Sequence, residues 1–147
     1  MRLAMCTTVL IVDDNPQNRR LVKKMLEVHG FKIFEASNGK KGIAHAIEHL
    51  PRFILLDINL PDIDGIEVAH TLRENDRCKG ITIIALTANA MIGDRERFIA
   101  SGCDDYLAKP VSRQELVGML NKHLELAESA QDTPAQDTPT DAASPTN

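Results

Sequence analysis

The sequence predicts an α/β fold: a doubly wound parallel sheet of five strands with helices on both faces, formed by a single (βα)5 domain. Short apolar runs recur along the chain, and such runs are typical of strands that helices cover on both sides. Each run is followed by a segment with the apolar spacing of an amphipathic helix. Because the two patterns alternate five times, right-handed crossovers would make all the strands parallel.

The first strand and helix occupy residues 8–29. Residues 8–12 form an apolar run, and Asn15 follows as the predicted N-cap, with Pro16 at the first helical position, where its missing N–H is not needed. Gly30 supplies a left-handed stop to this helix. The apolar residues at helical spacing are Leu21, Val22, Met25 and Leu26.

The second and third units continue the alternation. We predict strands over residues 31–36 and 53–57 and helices over residues 38–50 and 65–75, with Pro51 closing the earlier helix. The residues expected to face inward from these helices are Ile43, Ala46, Ile47 and Leu50, then Ile66, Ala69 and Leu72. The strand over residues 53–57 is apolar up to its last residue, which is typical of a central strand.

The fourth and fifth units complete the sheet. We predict strands over residues 81–86 and 104–108 and helices over residues 90–101 and 112–127, with Gly102 ending the fourth helix. The buried stripe of the last helix is predicted to be Leu116, Val117, Leu120 and Leu124.

Outside residues 8–127, the expected domain, the chain adds an N-terminal extension at residues 1–7 and a tail at residues 128–147. The tail repeats Ala-Gln-Asp-Thr-Pro and is acidic, a composition that cannot build a core, so we expect it to be disordered. The net charge is −4, and residues 129–147 contain three aspartates and no Lys or Arg, which leaves −1 for the rest. No nucleic-acid partner is therefore expected.

The cysteines predict a reducing compartment. Cys6, Cys78 and Cys103 are odd in number and far apart, which favours free thiols over a disulfide framework and indicates the cytoplasm. No apolar run approaches the roughly 20 residues that a membrane span requires, so no membrane association is expected.

Polar side chains stand at the carboxyl ends of four predicted strands. They are Asp13 and Asp14, Asp57, Thr87, and Lys109. The carboxyl ends of parallel strands share one edge, where ligands of open α/β sheets bind. We therefore expect these residues to converge although they are far apart in the sequence.

Three converging carboxylates predict a metal-assisted phosphoryl site. A hard divalent cation such as Mg²⁺ relieves the repulsion between like charges and also accepts phosphate oxygens. An aspartate carboxylate is a nucleophile toward phosphoryl donors. Lys109 would supply positive charge to the phosphoryl oxygens, and Thr87 a hydroxyl donor.

Several motifs resemble the receiver domain of two-component response regulators over residues 8–126. They are Leu10-Ile11-Val12-Asp13-Asp14-Asn15, Leu56-Asp57-Ile58-Asn59-Leu60-Pro61, Gly65, Thr87-Ala88 and Lys109-Pro110. The stretches at residues 87–94 and 102–110 resemble the branch that contains DivK-like and hybrid-kinase receivers. The resemblance implies a flavodoxin-like fold and a stand-alone, single-domain response regulator.

The resemblance also implies a role for each residue of the site. Asp57 would accept phosphate from a phosphohistidine, and Lys109 would contact the phosphoryl group. Mg²⁺ would be held by Asp14, Asp57 and the backbone carbonyl of Asn59, with Asp13 acting through water.

A switch and a set of partners follow from the same resemblance. Thr87 would be coupled to Tyr106, and the Lys109–Pro110 bond would be cis. The output surface would combine the fourth helix, fifth strand and fifth helix, with an apolar rim at Ala90, Met91 and Ile92. The expected partners are a histidine kinase or a histidine phosphotransfer protein and a downstream protein target. We expect a monomer that turns over no separate substrate.

Two other functions are weaker alternatives. Aspartyl-phosphate phosphatases typically carry a second Asp two positions after the nucleophile, whereas this chain has Asn59, which cannot protonate a leaving group. A flavin or nucleotide binder would need a glycine- or hydroxyl-rich phosphate loop after the first strand, and that loop is acidic here.

One further pattern lies in the second helix. His45, Glu48 and His49 match the H-x-x-E-H pattern of one class of zinc proteases, with both histidines on one helical face. The helix is short and no further ligand is evident, so two partly exposed surface histidines are the better interpretation.

Overall fold

The computed structural model describes residues 7–88 and 94–132. Strands and helices alternate along the chain in the order β1 (Thr8–Val12), α1 (Pro16–Glu27), β2 (Lys32–Ala36), α2 (Gly39–His49), β3 (Phe53–Asp57), α3 (Gly65–Glu74), β4 (Thr82–Thr87), α4 (Asp94–Ala100), β5 (Asp105–Ala108) and α5 (Arg113–Asp132). A single turn of 3₁₀ helix at Asp76–Cys78, which the sequence analysis did not predict, precedes β4.

All neighbouring strands are parallel, in the order β2-β1-β3-β4-β5, which confirms the predicted α/β class. The register aligns the carboxyl ends at the centre of the sheet. Val12 pairs with Leu56, and Asp57 pairs with Leu86. The polar residues that follow these strands therefore meet at one edge, as predicted.

Two apolar layers cover the sheet. One layer lies between one face of the sheet and helices α2, α3 and α4. It includes Leu10, Leu56, Ala46, Leu72 and Phe98. The other layer lies between the opposite face and helices α1 and α5. It includes Ile11, Leu55, Leu26, Leu116 and Leu120. Every residue of β3 is buried, and burial of each large side chain contributes about 1.5–3 kcal/mol. The central strand is thus a rigid support for its last residue, Asp57.

The predicted start of the first helix is confirmed. The Asn15 side chain accepts hydrogen bonds from the backbone N–H groups of Gln17 and Asn18, at 2.9 and 3.1 Å, and Pro16 occupies the first helical position. Gly30 adopts φ 90° after this helix, and Gly102 adopts φ 112° after α4, so both supply the left-handed turns expected of them.

Two details of the sequence analysis are wrong. Leu50 was expected to face inward, but it is 39% exposed and caps α2 with a left-handed φ of 47°. The spacing of Leu50 from the other apolar residues fits a helix, but the left-handed turn before β3 directs its side chain away from the core. Helix α5, predicted to end near Ala127, continues to Asp132, because no proline or glycine interrupts residues 119–132.

Several predictions for the chain ends and for one internal segment lie outside the described residues. Residues 1–6 of the N-terminal extension, residues 133–147 of the tail, and the rim at Ala90, Met91 and Ile92 belong to this group. The predicted domain boundaries therefore stay predictions. Within the described part of the chain, no helix has the length and apolar character needed to cross a membrane.

Candidate functional site

Asp57 ends the central strand and is held from two sides. Its side chain is buried, with 4% of the residue exposed. One carboxylate oxygen accepts a hydrogen bond from the backbone N–H of Asn59 at 3.1 Å, and the other lies 3.1 Å from the ammonium group of Lys109. The carboxylate therefore has a fixed orientation at the edge of the sheet.

Asp13 lies beside Asp57 because β1 and β3 are neighbours. It is 3% exposed, and its Oδ1 accepts a hydrogen bond from the Asn15 backbone N–H at 2.9 Å. Its Oδ2 lies 3.4 Å from Lys109 Nζ. Arg19 in α1 donates to the Asp13 backbone carbonyl at 2.7 Å, a contact that the sequence analysis missed. Asp13 is thereby fixed from the side of α1.

Lys109 bridges the two buried aspartates. Its backbone N–H donates to the Thr87 carbonyl at 2.7 Å, which ties the end of β5 to the end of β4. The Lys109–Pro110 bond is cis, as the resemblance implied. The lysine side chain is 22% exposed, so its charge is only partly screened by water.

Strand alternation explains why these three side chains meet. Successive side chains of a strand point to opposite faces, so every second residue shares a face. Asp13, Asp57 and Lys109 each come two positions after a residue that packs on the α1 and α5 face; those residues are Ile11, Leu55 and Leu107. The three side chains therefore lie on one side of the sheet edge.

The acidic residues fit a hard divalent cation. Carboxylate oxygens of Asp13, Asp14 and Asp57 lie within 4.8 Å of one another, and Asp14 is exposed. Asp14 and Asn59 border the same open depression at the edge. One lysine does not neutralise three carboxylates, and oxygen ligands with access to water are what Mg²⁺ prefers. The residues present therefore fit Mg²⁺.

Burial raises the pKa of the Asp57 carboxyl group above its usual value. The hydrogen bond from Asn59 and the nearby Lys109 oppose this rise, while the negative charge of Asp13 adds to it. Without a metal ion, ionisation of the Asp57 carboxyl group therefore lowers the stability of the folded protein.

We expect Asp57→Asn to be more stable than the parent at pH 7 in EDTA. A raised folded-state pKa means that the contribution of Asp57 to stability is present below its unfolded pKa and lost as pH rises through the folded value. The amide introduced by Asp57→Asn does not ionise and has no such loss. The difference in melting temperature between this variant and the parent should therefore narrow as pH falls from 7 toward 4. Thermal melts across this range measure it, and a difference that widens toward pH 4 would contradict the expectation.

The side chains of Thr87 and Tyr106 lie on the opposite face of the sheet from that of Asp57. Tyr106 pairs with Ala85, and Ala85 is two residues before Thr87, so all three point to the face covered by α3 and α4. Thr87 is buried, whereas Tyr106 is half-buried with its ring 5.7 Å from that of Phe98 in α4. On this face, Tyr106 is therefore one strand and two positions away from Thr87.

The loop after Asp57 is fixed by contacts that no sequence pattern signalled. Asp62 accepts hydrogen bonds from the backbone N–H groups of Gly39 and Lys40 at 2.8 and 2.9 Å, and these bonds lower the pKa of its carboxyl group against the effect of desolvation. The Gly65 N–H donates to the Ile58 carbonyl at 2.9 Å. The loop is therefore fastened to the first turn of α2 and to the start of α3.

Comparisons with known proteins agree with this geometry. Residues 9–121 match the family model described as the response regulator receiver domain. The chain is 38% identical over 117 residues to the polar-differentiation response regulator DivK of Brucella anthropi, a match that covers 80% of this chain and 95% of that protein.

Two solved structures are also similar to this chain. The first is the receiver domain of a sensor histidine kinase from Pseudomonas aeruginosa, with a magnesium ion coordinated in its active-site cleft; it is 35% identical with a TM-score of 0.75, covering 82% of this chain and 98% of that one. The second comes from the co-crystal structure of a histidine phosphotransfer protein of Saccharomyces cerevisiae and the receiver domain of its downstream response regulator; it is 32% identical with a TM-score of 0.71, covering 77% and 85%.

Proposed function

This chain belongs to the response regulator receiver domain family, and from that premise we propose that Asp57 is the residue that accepts a phosphoryl group from a phosphohistidine. The single observation that carries the assignment is the position of the Asp57 carboxylate, which ends the central strand 3.1 Å from Lys109 Nζ. A nucleophilic oxygen and a positive charge are thus held together where a phosphoryl group would enter.

The transfer is a substitution at phosphorus. A carboxylate oxygen of Asp57 forms the new P–O bond while the P–N bond to the donor imidazole breaks, and the bonding electron pair leaves with the imidazole nitrogen. Lys109 stabilises the negative charge of the transferring oxygens. Thr87 ends the neighbouring strand at the same edge, and a movement of its side chain toward that edge would let its hydroxyl donate to one of them. No residue of this chain turns over a separate substrate in this scheme.

Receiver domains bind Mg²⁺ at their acidic site, and we assign the ligands in this chain to Asp13, Asp14, Asp57 and the Asn59 backbone carbonyl, with Asp13 acting through water. The support is the approach of the three carboxylates to within 4.8 Å of one another. When bound, Mg²⁺ neutralises charge that would otherwise repel the phosphoryl oxygens.

A small phosphoryl donor tests the metal requirement. Acetyl phosphate with Mg²⁺ should add one phosphate to the chain, and EDTA should prevent the addition, because the uncompensated carboxylates repel the donor. Intact-mass measurement detects the product, and peptide mapping after borohydride trapping locates it. Labelling of equal extent in EDTA would contradict the proposed site.

Thr87 and Tyr106 form the proposed switch. If the Thr87 hydroxyl moves toward the phosphoryl group, it vacates space on the face that Tyr106 also occupies, and the Tyr106 ring can turn inward. Tyr106 packs on Phe98, so this movement would reach α4. The output surface would then be α4, β5 and α5, read by a downstream protein target.

Amide hydrogen exchange with beryllofluoride and Mg²⁺, which mimic the phosphorylated state, tests the switch. Changed protection should extend from the site into α4 (Asp94–Ala100) and to Tyr106, because the coupling passes through side chains on that face. Changes confined to Asp13, Asp57 and Lys109 would contradict it. Tyr106→Ala, which removes the ring, serves as the control and should suppress the change in α4.

We further propose a histidine kinase or a histidine phosphotransfer protein as the phosphoryl donor, acting on a cytoplasmic, monomeric receiver without nucleic-acid or membrane contacts. The support for a protein donor is a groove beside the site, lined by Leu21, Val22, Leu86, Pro110 and Val111, with Asp13 and Lys109 at its polar end. Leu21 is 54% exposed there, although its helical spacing resembles that of buried neighbours. An apolar helix face carrying a phosphohistidine would bury it.

A further inference from the structure

The last turn of α2 gathers three side chains that can bind a metal ion. His45, Glu48 and His49 occupy positions i, i+3 and i+4, which share one face of a helix. Each offers a ligand atom, and these atoms lie within 4.8 Å of one another. His49 Nε2 and Glu48 Oε1 are 3.8 Å apart. This group is distinct from the acidic cluster because it includes two imidazoles.

The two imidazole rings are stacked close together. The His49 ring stacks on Phe34 of β2, with centroids 4.2 Å apart and planes inclined by 10°. The His45 ring lies parallel to that of His49 at 5.5 Å. Because the lone pair of an imidazole nitrogen lies in the ring plane, two nearly parallel rings do not point at one ion, and the His49 side chain, 30% exposed, has to rotate before both rings bind it.

A buried polar atom in this group has no partner. Nδ1 of His45 is buried without a hydrogen bond to any part of the chain that the structure describes. Buried polar atoms are nearly always satisfied, and leaving one unsatisfied is costly. An ion bound to this nitrogen would provide the missing partner.

Charge also favours a cation at this place. The three residues lie at the carboxyl end of α2, where the helix dipole presents partial negative charge. Glu48 adds a full negative charge and is 71% exposed, so its side chain can rotate toward an ion without disturbing the core. Metal–ligand bonds of about 2.0–2.2 Å bring ligand atoms closer together than the 3.8 Å between His49 Nε2 and Glu48 Oε1. Rotation of the Glu48 side chain can shorten this distance.

We propose that His45, Glu48 and His49 bind one borderline divalent ion, of the class of Zn²⁺ or Ni²⁺, at a site separate from the Mg²⁺ site. Two imidazole nitrogens and one carboxylate are the ligands that such ions prefer, whereas the oxygen-only cluster around Asp57 suits Mg²⁺. The resemblance of the three residues to a zinc-protease motif is thus attributed to metal binding alone, with no hydrolysis.

The test uses ZnCl₂ as the probe and the full chain, stripped with EDTA and held in excess Mg²⁺ so that the acidic cluster is occupied. Titration calorimetry and native mass measurement should show one Zn²⁺ per chain. His49→Phe keeps a ring on Phe34 but removes the nitrogens, and it should weaken Zn²⁺ binding at least about tenfold, since loss of even an outer partner has that effect. Glu48→Gln, at an exposed position, should also weaken it.

His70→Ala is the matched control. His70 faces Glu74 one turn later on α3, an exposed pair that lacks the third ligand, so this variant should bind Zn²⁺ like the parent. The side-chain NMR signals of His45 and His49 should shift with Zn²⁺ while those of His70 stay. Equal binding by the parent, His49→Phe and Glu48→Gln would overturn the proposal, as would the absence of Zn²⁺ binding in excess Mg²⁺. Circular dichroism confirms that each variant is folded.

Discussion

Asp57→Ala is expected to abolish phosphorylation by acetyl phosphate in the presence of Mg²⁺. The carboxylate supplies the attacking oxygen, and no other acidic group in the described cluster combines burial with the 3.1 Å approach to Lys109 Nζ. Asp13 is also buried, but its Oδ2 lies farther from that ammonium group, at 3.4 Å. The intact mass of the treated variant should therefore show no added phosphate.

Asp76→Ala controls for the loss of an aspartate as such. The Asp76 side chain is 90% exposed and forms an ion pair with Lys79, a surface contact of little energetic weight. This variant should gain one phosphate like the parent. A phosphate retained on Asp57→Ala would assign the acceptor to another residue, and a melting curve of Asp57→Ala would show that its failure does not come from unfolding.

The sequence was sufficient to locate this group of side chains because two simple patterns coincide. Apolar runs marked the strands, and the parallel order brought their carboxyl ends to one edge. The alternation of side chains then placed Asp13, Asp57 and Lys109 on one side of that edge. Motif resemblance added the roles of these residues, but their convergence follows from register alone.

Contacts between segments far apart in sequence could not be predicted in the same way. Arg73 at the end of α3 donates to three backbone carbonyls in the segment before β4 and to one in the turn after α4; the acceptors are Cys78, Lys79, Ile81 and Gly102. It also contacts the Asp104 carboxylate at 2.7 Å. In the sequence, Arg73 looks like any polar residue at a solvent-facing helical position. Its partners are backbone carbonyls that come within reach only when the turns have folded.

The capping of α2 by Asp62 is a second example. Asp62 accepts from backbone N–H groups 23 and 22 positions before it, so no local capping pattern reveals the contact. Leu50 shows the converse error, since local helical spacing predicted burial that the left-handed turn prevents. Short-range patterns thus gave the elements and the edge, whereas the loops that support the site depended on tertiary contacts.

Gly65→Ala is expected to destabilise the protein by about 1–3 kcal/mol and to impair phosphorylation of Asp57. A methyl group at this position would lie 2.5 Å from the Asp57 carbonyl oxygen and 2.7 Å from the Ile58 Cα, both of them backbone atoms that cannot rotate away. The start of α3 would have to separate from the end of β3. Because the Asp57 carboxylate is held by a hydrogen bond from Asn59 in the same loop, its orientation would change as well.

Gly118→Ala is the matched control, since it makes the same chemical change at a helical position with nothing within 4 Å of the added methyl group. It should stabilise α5 by roughly 0.5–1 kcal/mol, the usual difference between alanine and glycine inside a helix. Urea unfolding gives both free energies, and initial labelling rates with acetyl phosphate give the effect on the site. The two substitutions should change stability in opposite directions, and only Gly65→Ala should slow labelling. Labelling of Gly65→Ala at the parent rate, despite a loss of stability, would show that the close packing of α3 on β3 supports the fold without positioning Asp57.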